Sequence, residues 1–283
     1  MTPLAAAERL LSFPSSLLEA PIGLFDSGLG GLTVLHRLRS RQPTESLLYL
    51  ADTARFPYGG RTTAELRTIA VEVAAWMRRQ GIKALLTACN TTNAVAIAEL
   101  QRHAGVPVVG LISAAAAVVD SASVGVLATA ATVASGAYGQ AIRHRRGDAR
   151  VVEVACPDLV PLIETGDLDS PELMAAAKRY LTPLLEQGVD TIVLGCTHYP
   201  LLTPQLQQLL PPGVRLLDPA VPAVEVLAGM LRRTGLRRQG SMVADRRLVC
   251  TGCPERFASA AEPWLGHRPG VSRVNLRMAH GGS

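Results

Sequence analysis

Short stretches rich in apolar residues alternate along this chain with longer stretches in which apolar positions recur every three or four residues. The short runs fall at 22–25, 47–50, 84–87, 106–111, 124–128, 151–154 and 191–194. Runs of that length, rich in Val, Ile and Leu, suit strands buried on both faces. Segments such as 62–80 and 171–186 have the period of amphipathic helices instead. Strand and helix in regular alternation predict βαβ units on parallel sheets, an α/β fold.

The pattern also repeats. Ile22-Gly23-Leu24-Phe25-Asp26 matches Val124-Gly125-Val126-Leu127-Ala128, and the approach to Cys89 matches the approach to Cys196. Asp26 and Cys89 are 63 positions apart, Ala128 and Cys196 68. Two pseudo-symmetric lobes are therefore expected, each a mainly parallel sheet flanked by helices with a cysteine at the C-terminal end of an inner strand. That edge is where open α/β sheets bind ligands. The first lobe is expected over 21–112 together with 219–283, the second over 113–218, and residues 1–20 form an N-terminal extension.

Composition narrows the classes. A chain of 283 residues, 48% of them hydrophobic, buries its cores without disulfide staples. Apolar runs such as 114–119 fall short of the roughly 18 to 20 residues that cross a bilayer. Glu8 and Arg9 interrupt the segment where a secretory signal would need an apolar centre, so the expected location is the cytoplasm, with no membrane partner. Five cysteines are an odd number and point to reduced thiols. The net charge of +5 comes with arginine clusters at 143–150 and 232–247, but no aromatics interleave with them. Nucleic acid is therefore not an expected partner, while small anions are attracted. A homodimer is compatible with the sequence and not required by it.

Three sites carry chemistry. Asp26-Ser27-Gly28-Leu29-Gly30-Gly31 lies between a strand and a helix expected to begin near Leu32, so its N–H groups are candidates for holding an anion. It lacks the spacing of a dinucleotide or P-loop motif, and Asp26 at its mouth opposes a phosphate. Cys89 precedes a helix expected over 94–102, where helix N–H donors favour a thiolate. Cys196-Thr197-His198-Tyr199-Pro200 repeats the arrangement with an imidazole two residues from the thiol. Either cysteine alone reads equally well as a packed hydrophobe; the matched pair favours chemistry. The two thiols stand 107 residues apart without metal-ligand spacing, so no metal is expected. Cys250 and Cys253 have that spacing but no second ligand pair, and they fall in a late strand-like run rather than at a βα redox turn. Cys156, before Pro157, reads as core.

Four motifs in order resemble the glutamate racemases of the cofactor-independent aspartate/glutamate racemase superfamily: the segment 23–32, Pro57-Tyr58-Gly59, Ala88-Cys89-Asn90-Thr91, and the segment 194–201 with its Thr-His-Tyr-Pro-Leu stretch. The resemblance runs from about Pro21 to at least Phe257. It implies an active site between the two lobes, with Cys89 and Cys196 on opposite faces of the substrate α-carbon. It implies polar helpers at Asp26 for the first thiol, and at Glu164 and His198 for the second. Substrate contacts are implied at Asp26, Ser27, Tyr58, Gly59, Asn90, Thr91, Thr129, Thr197 and His198. It implies that Cys89 takes the proton from D-glutamate and Cys196 from L-glutamate, in the service of peptidoglycan synthesis and cell shape. Ala131 stands where the family usually has glycine.

The chemistry suits these residues. Racemisation removes a proton on one face of a carbon and returns one on the other, so it needs two acid/base groups in opposite protonation states. Without a cofactor, the carbanion must be stabilised by hydrogen bonds and exclusion of water. Two other readings stay open: an aspartate or related amino-acid racemase of the same superfamily, and a thiol hydrolase using one cysteine with His198.

Overall fold

Every residue of β1 (Ile22–Asp26), β2 (Leu47–Ala51) and β3 (Ala84–Thr87) is buried, because helices cover both faces of the sheet they form. The computed structural model describes residues 15–238 and 244–276. Among these, β4 (Val108–Gly110), β9 (Arg246–Cys250) and β10 (Val271–Arg273) complete a six-stranded sheet of order β10-β9-β2-β1-β3-β4. A second sheet contains β5 (Ser123–Ala128), β6 (Arg150–Ala155), β7 (Thr191–Gly195) and β8 (Arg215–Leu217) in the order β6-β5-β7-β8. Neighbouring strands are parallel throughout. The order β2-β1-β3-β4 is thus repeated strand for strand in the second sheet, so the internal likeness of the sequence is a likeness of topology. The first sheet alone is extended, where β9 pairs with β2 in the register Leu47↔Arg246.

On one face of the first sheet, Ile22, Leu24, Tyr49 and Leu86 pack with α2 (Gly31–Arg41), α11 (Ala220–Arg233) and α12 (Pro254–Leu265). On the other, Phe25, Leu48 and Leu85 pack with α3 (Thr63–Arg79) and α4 (Asn90–His103). The second sheet is covered by α8 (Leu159–Glu164) and α9 (Pro171–Glu186) on one side, and by α5 (Leu111–Val118) and α7 (Ala137–Arg145) on the other. Local signals set the long helices. Thr62 and Glu65 form a reciprocal capping box on α3, and Ser170 caps α9 with Pro171 in its first turn.

Two boundaries differ from expectation. The apolar run at 106–111 is strand only over Val108–Gly110, since Leu111 already begins α5. The helix expected from 94 starts at Asn90 and kinks at Ala96, whose φ of −142° and ψ of 19° leave the helical region. At the N-terminal edge of the first sheet, Lys83 and Glu45 form an ion pair at 2.5 Å, fully buried on both sides. The Lys83 ammonium also donates to the Leu18 carbonyl at 2.7 Å, which ties down α1 (Ser15–Glu19). Positions 1–14 of the expected N-terminal extension lie outside the described residues, as do 239–243 within the second arginine cluster. Of the first cluster, Arg146 pairs with Asp148 and Arg150 with Gln187. No helix among the described residues is long and apolar enough to cross a membrane.

Candidate active site

The C-terminal ends of both sheets face one cavity of about 320 Å³. Asp26 ends β1, and Cys89 caps α4 just beyond β3. From the second sheet, Thr129 follows β5, Cys156 follows β6 and Cys196 follows β7. Ser27, Tyr58, Gly59, Asn90, Thr91, Glu164, Thr197 and His198 complete the polar lining, so every site residue expected from the sequence faces this space. The two thiols enter it from different lobes.

In the first lobe the turn after β1 folds onto its own acid. Asp26 Oδ2 accepts the N–H groups of Gly28 at 3.1 Å and Gly31 at 2.9 Å. The expectation that this loop offers its N–H groups to an anion is therefore corrected at those two positions, because the carboxylate has taken them. A Cβ on Gly31 would lie 2.5 Å from Asp26 Cβ, so the turn closes only over glycine. Asp26 Oδ1 is buried and has no hydrogen-bond partner. Cys89 Sγ lies 3.9 Å from Ser27 Oγ. Burial, and then the negative charge of Asp26, push the Cys89 thiol up to about 11, while hydrogen bonds from Thr92 and Ser27 pull the other way. The helix N-terminus was expected to favour the thiolate; desolvation outweighs it.

The second lobe holds a relay. Cys196 Sγ stands 3.8 Å from His198 Nδ1, and His198 Nε2 stands 3.0 Å from Glu164 Oε1. Burial drives the Cys196 thiol far above the ordinary range, opposed by the His198 backbone N–H. Tyr199 donates its hydroxyl to the Cys156 carbonyl at 3.2 Å and so braces this turn from below.

Hydroxyl and amide groups join the lobes across the cavity. Tyr138 donates to Asn90 Oδ1 at 2.5 Å, which leaves the Asn90 NH₂ as a donor for another group. Thr91 and Thr129 hydroxyls meet at 3.0 Å, and Thr129 meets Thr132 at 2.9 Å. Ala131, in place of the family glycine, is accommodated in α6 (Ala130–Ser135) and donates its N–H to the Gly59 carbonyl at 3.0 Å. Tyr58 donates to buried Asp52, which also accepts from Thr251 at 2.6 Å.

Sequence reasoning missed several lining residues. Cys156 was read as core; it is buried, yet it borders the cavity, with its thiol pushed up to about 12 by burial. Its place could have found it, since Cys156 follows β6 at the same sheet edge as Thr129 after β5 and Cys196 after β7. Phe56, Val160 and Pro161 give the cavity an apolar wall that no motif marked. The reading of Cys250 and Cys253 is also corrected: Cys250 ends β9 and Cys253 caps α12, so the pair does sit at a βα turn. Cys253 Sγ contacts Glu255 Oε2 at 3.1 Å. Among the described residues, no group of three or more His, Cys, Asp or Glu side chains is placed to hold a metal ion.

Comparison with known proteins agrees with this geometry. The model of the Asp/Glu/Hydantoin racemase family matches residues 33–227. A glutamate racemase of Synechococcus sp. (strain CC9605) is 51% identical over 89% of this chain and 96% of its own. The structure of a Francisella tularensis glutamate racemase in complex with D-glutamate superposes with a TM-score of 0.87 at 33% identity, covering 92% of this chain and 98% of that one. A Thermus thermophilus glutamate racemase in complex with β-chloro-D-alanine superposes with a TM-score of 0.83 at 41% identity, over 92% and 98%. Cavity, repeated topology and relatives agree: the chain belongs to the Asp/Glu/hydantoin racemase family and, within it, to the glutamate racemases, which are amino-acid isomerases.

Proposed function

We propose that this cavity interconverts L-glutamate and D-glutamate by a two-base proton transfer, with Cys89 serving one face of the α-carbon and Cys196 the other. The observation that carries the reading is the pair of buried thiols at equivalent strand ends of two repeated sheets, both lining one cavity. Each turnover begins with one cysteine as thiolate and ends with the other deprotonated, so the net proton count of the enzyme is unchanged. Asp26 Oδ1, buried and unpartnered, suits the substrate ammonium. Pairing there would also offset the negative charge that, after burial, raises the Cys89 thiol. The Asn90 amide and the Thr91 and Thr197 hydroxyls are donors for the α-carboxylate, where charge builds as the proton leaves. Glu164 orients His198, which stands ready to exchange a proton with Cys196.

Schiff-base chemistry has no residue to start from. The sequence contains only Lys83 and Lys178, and neither borders the cavity. The same proposal has the reaction run in the cytoplasm and supply D-glutamate for peptidoglycan. The division into lobes at 21–112 with 219–283 and 113–218 belongs to the same proposal.

A second reading has one observation in its favour. The Cys196–His198–Glu164 relay also suits a thiol nucleophile with its base. One experiment separates the two. The two-base reading expects solvent deuterium at the glutamate α-carbon during turnover, and near-complete loss of racemisation in both Cys89→Ser and Cys196→Ser. Racemisation without α-deuterium, or near-normal turnover in either variant, would refute it.

A further inference from the structure

We propose that Thr33 and Gly30 of the first lobe are positioning residues for the Cys196-Thr197-His198 turn of the second, forming a latch that acts on one thiol of the pair. The inference rests on the two-thiol reading above.

Gly30 has φ −54° and ψ −38°, a right-handed helical conformation open to any residue. Its backbone does not call for glycine; its surroundings do. A Cβ here would lie 2.3 Å from Thr197 Oγ1, 2.4 Å from His198 Nδ1 and 2.7 Å from His198 Cε1. These groups have little room to retreat. His198 is buried, held by Glu164 at 3.0 Å and met edge-on by the Trp264 ring at a centroid distance of 5.7 Å. The start of α2 therefore presses directly on the turn that carries the second thiol.

Thr33 adds a directional contact at the same place. Its Oγ1 is 3.0 Å from the Thr197 carbonyl oxygen and 2.8 Å from that of Gly30. One hydroxyl proton serves two acceptors. Donated to Thr197, it joins the lobes; donated to Gly30, it stays satisfied within its own helix. The Thr197 carbonyl belongs to the peptide that leads into His198, so anchoring it sets the imidazole relative to Cys196 Sγ. The Cys89 turn is joined to the second lobe at other points, Tyr138 to Asn90 and Thr129 to Thr91, which this latch does not touch. Ser27, which touches the Cys89 thiol, and Thr92 and Asp26, which bias it most after burial, come from its own lobe. Loosening the latch should disturb Cys196 and spare Cys89.

The experiment labels both thiols with iodoacetamide in the intact protein and reads each peptide by mass spectrometry, alongside kcat in both directions. Thr33→Val keeps the shape and removes the proton. It is expected to label Cys196 about fivefold faster, the effect of one lost hydrogen bond, and to lower kcat by a similar factor with Cys89 labelling unchanged. Thr33→Ser is expected to restore both. Gly30→Ala, which keeps the helical backbone, should give the same selective signature if Thr33→Val folds poorly. Equal acceleration at both thiols would mark a merely structural role and overturn the proposal, as would unchanged Cys196 labelling in Thr33→Val and Gly30→Ala. Labelling needs no turnover, so a Cys196→Ser variant that still racemises would sink the two-thiol reading separately.

Discussion

Replacing Asp26 by Asn should raise the reactivity of Cys89 while lowering racemisation, two effects in opposite directions from one substitution. With its thiol at about 11, Cys89 is about one part in a thousand thiolate at pH 8. Ionising it there costs about 4 kcal/mol. That is a quarter of the roughly 16 kcal/mol barrier of an enzyme turning over about ten times per second. Burial is the larger cause and remains in the variant; the Asp26 charge is the next and disappears. The sign follows: a lost negative charge lowers the thiol pKa, and each unit of lowering raises the thiolate fraction at pH 8 about tenfold. Asn still offers a carbonyl oxygen to the Gly28 and Gly31 N–H groups, so the turn survives. Racemisation falls because the carboxylate no longer meets the substrate ammonium. Alkylation rates of Cys89 between pH 7 and pH 11 measure this, with Cys156 as the internal reference because Asp26 is not among the causes of its shift. The parent rate should climb without a plateau until about pH 11, and the variant should level off earlier. A parent plateau below pH 9, or variant labelling no faster than the parent, would refute the reasoning.

Two further outcomes follow from the geometry. His198→Asn removes the imidazole facing Cys196, so kcat should fall more from L to D than from D to L, while kcat/KM falls equally in both directions as equilibrium between enantiomers requires; circular dichroism in both directions checks it, and an equal fall in the two kcat values counts against the role. Lys83→Met strips the partner from buried Glu45 and should cost about 3 to 5 kcal/mol of stability in urea unfolding, with partial recovery when Glu45→Gln is added; a loss below about 1 kcal/mol would show that the pair is dispensable.

Legibility from the sequence followed the range of the interactions involved. The strands β1, β3 and β7 were read nearly to their ends because burial on both faces writes an unbroken apolar run. Helix α9 was read to its ends because Ser170 and Pro171 act within one turn of it. The start of α4 was missed because Asn and Thr favour loops on local grounds. Here they are held by distant partners: Asn90 by Tyr138, and Asn93 by the Ile112 N–H at 2.7 Å. The pairing of β9 with β2 was likewise invisible, since nothing near Arg246 names a partner two hundred residues earlier.

The sequence by itself determined the fold class, the internal repeat and the two thiols at equivalent strand ends, because periodicity and motif spacing are local properties of the chain. It also supplied every residue that was expected to line the cavity and does. Where those residues point, and what charge they carry there, was decided only by tertiary structure. The Gly-rich turn reads as an anion loop until Asp26 is seen to occupy two of its N–H groups. Cys89 reads as an activated thiolate until its burial is seen to exceed the pull of the helix N-terminus. Thr33 and Thr197 carry no mark of each other across 164 positions, yet a 3.0 Å hydrogen bond joins them. Desolvation and contacts between lobes depend on which distant segments share a volume, and only the folded chain brings them together.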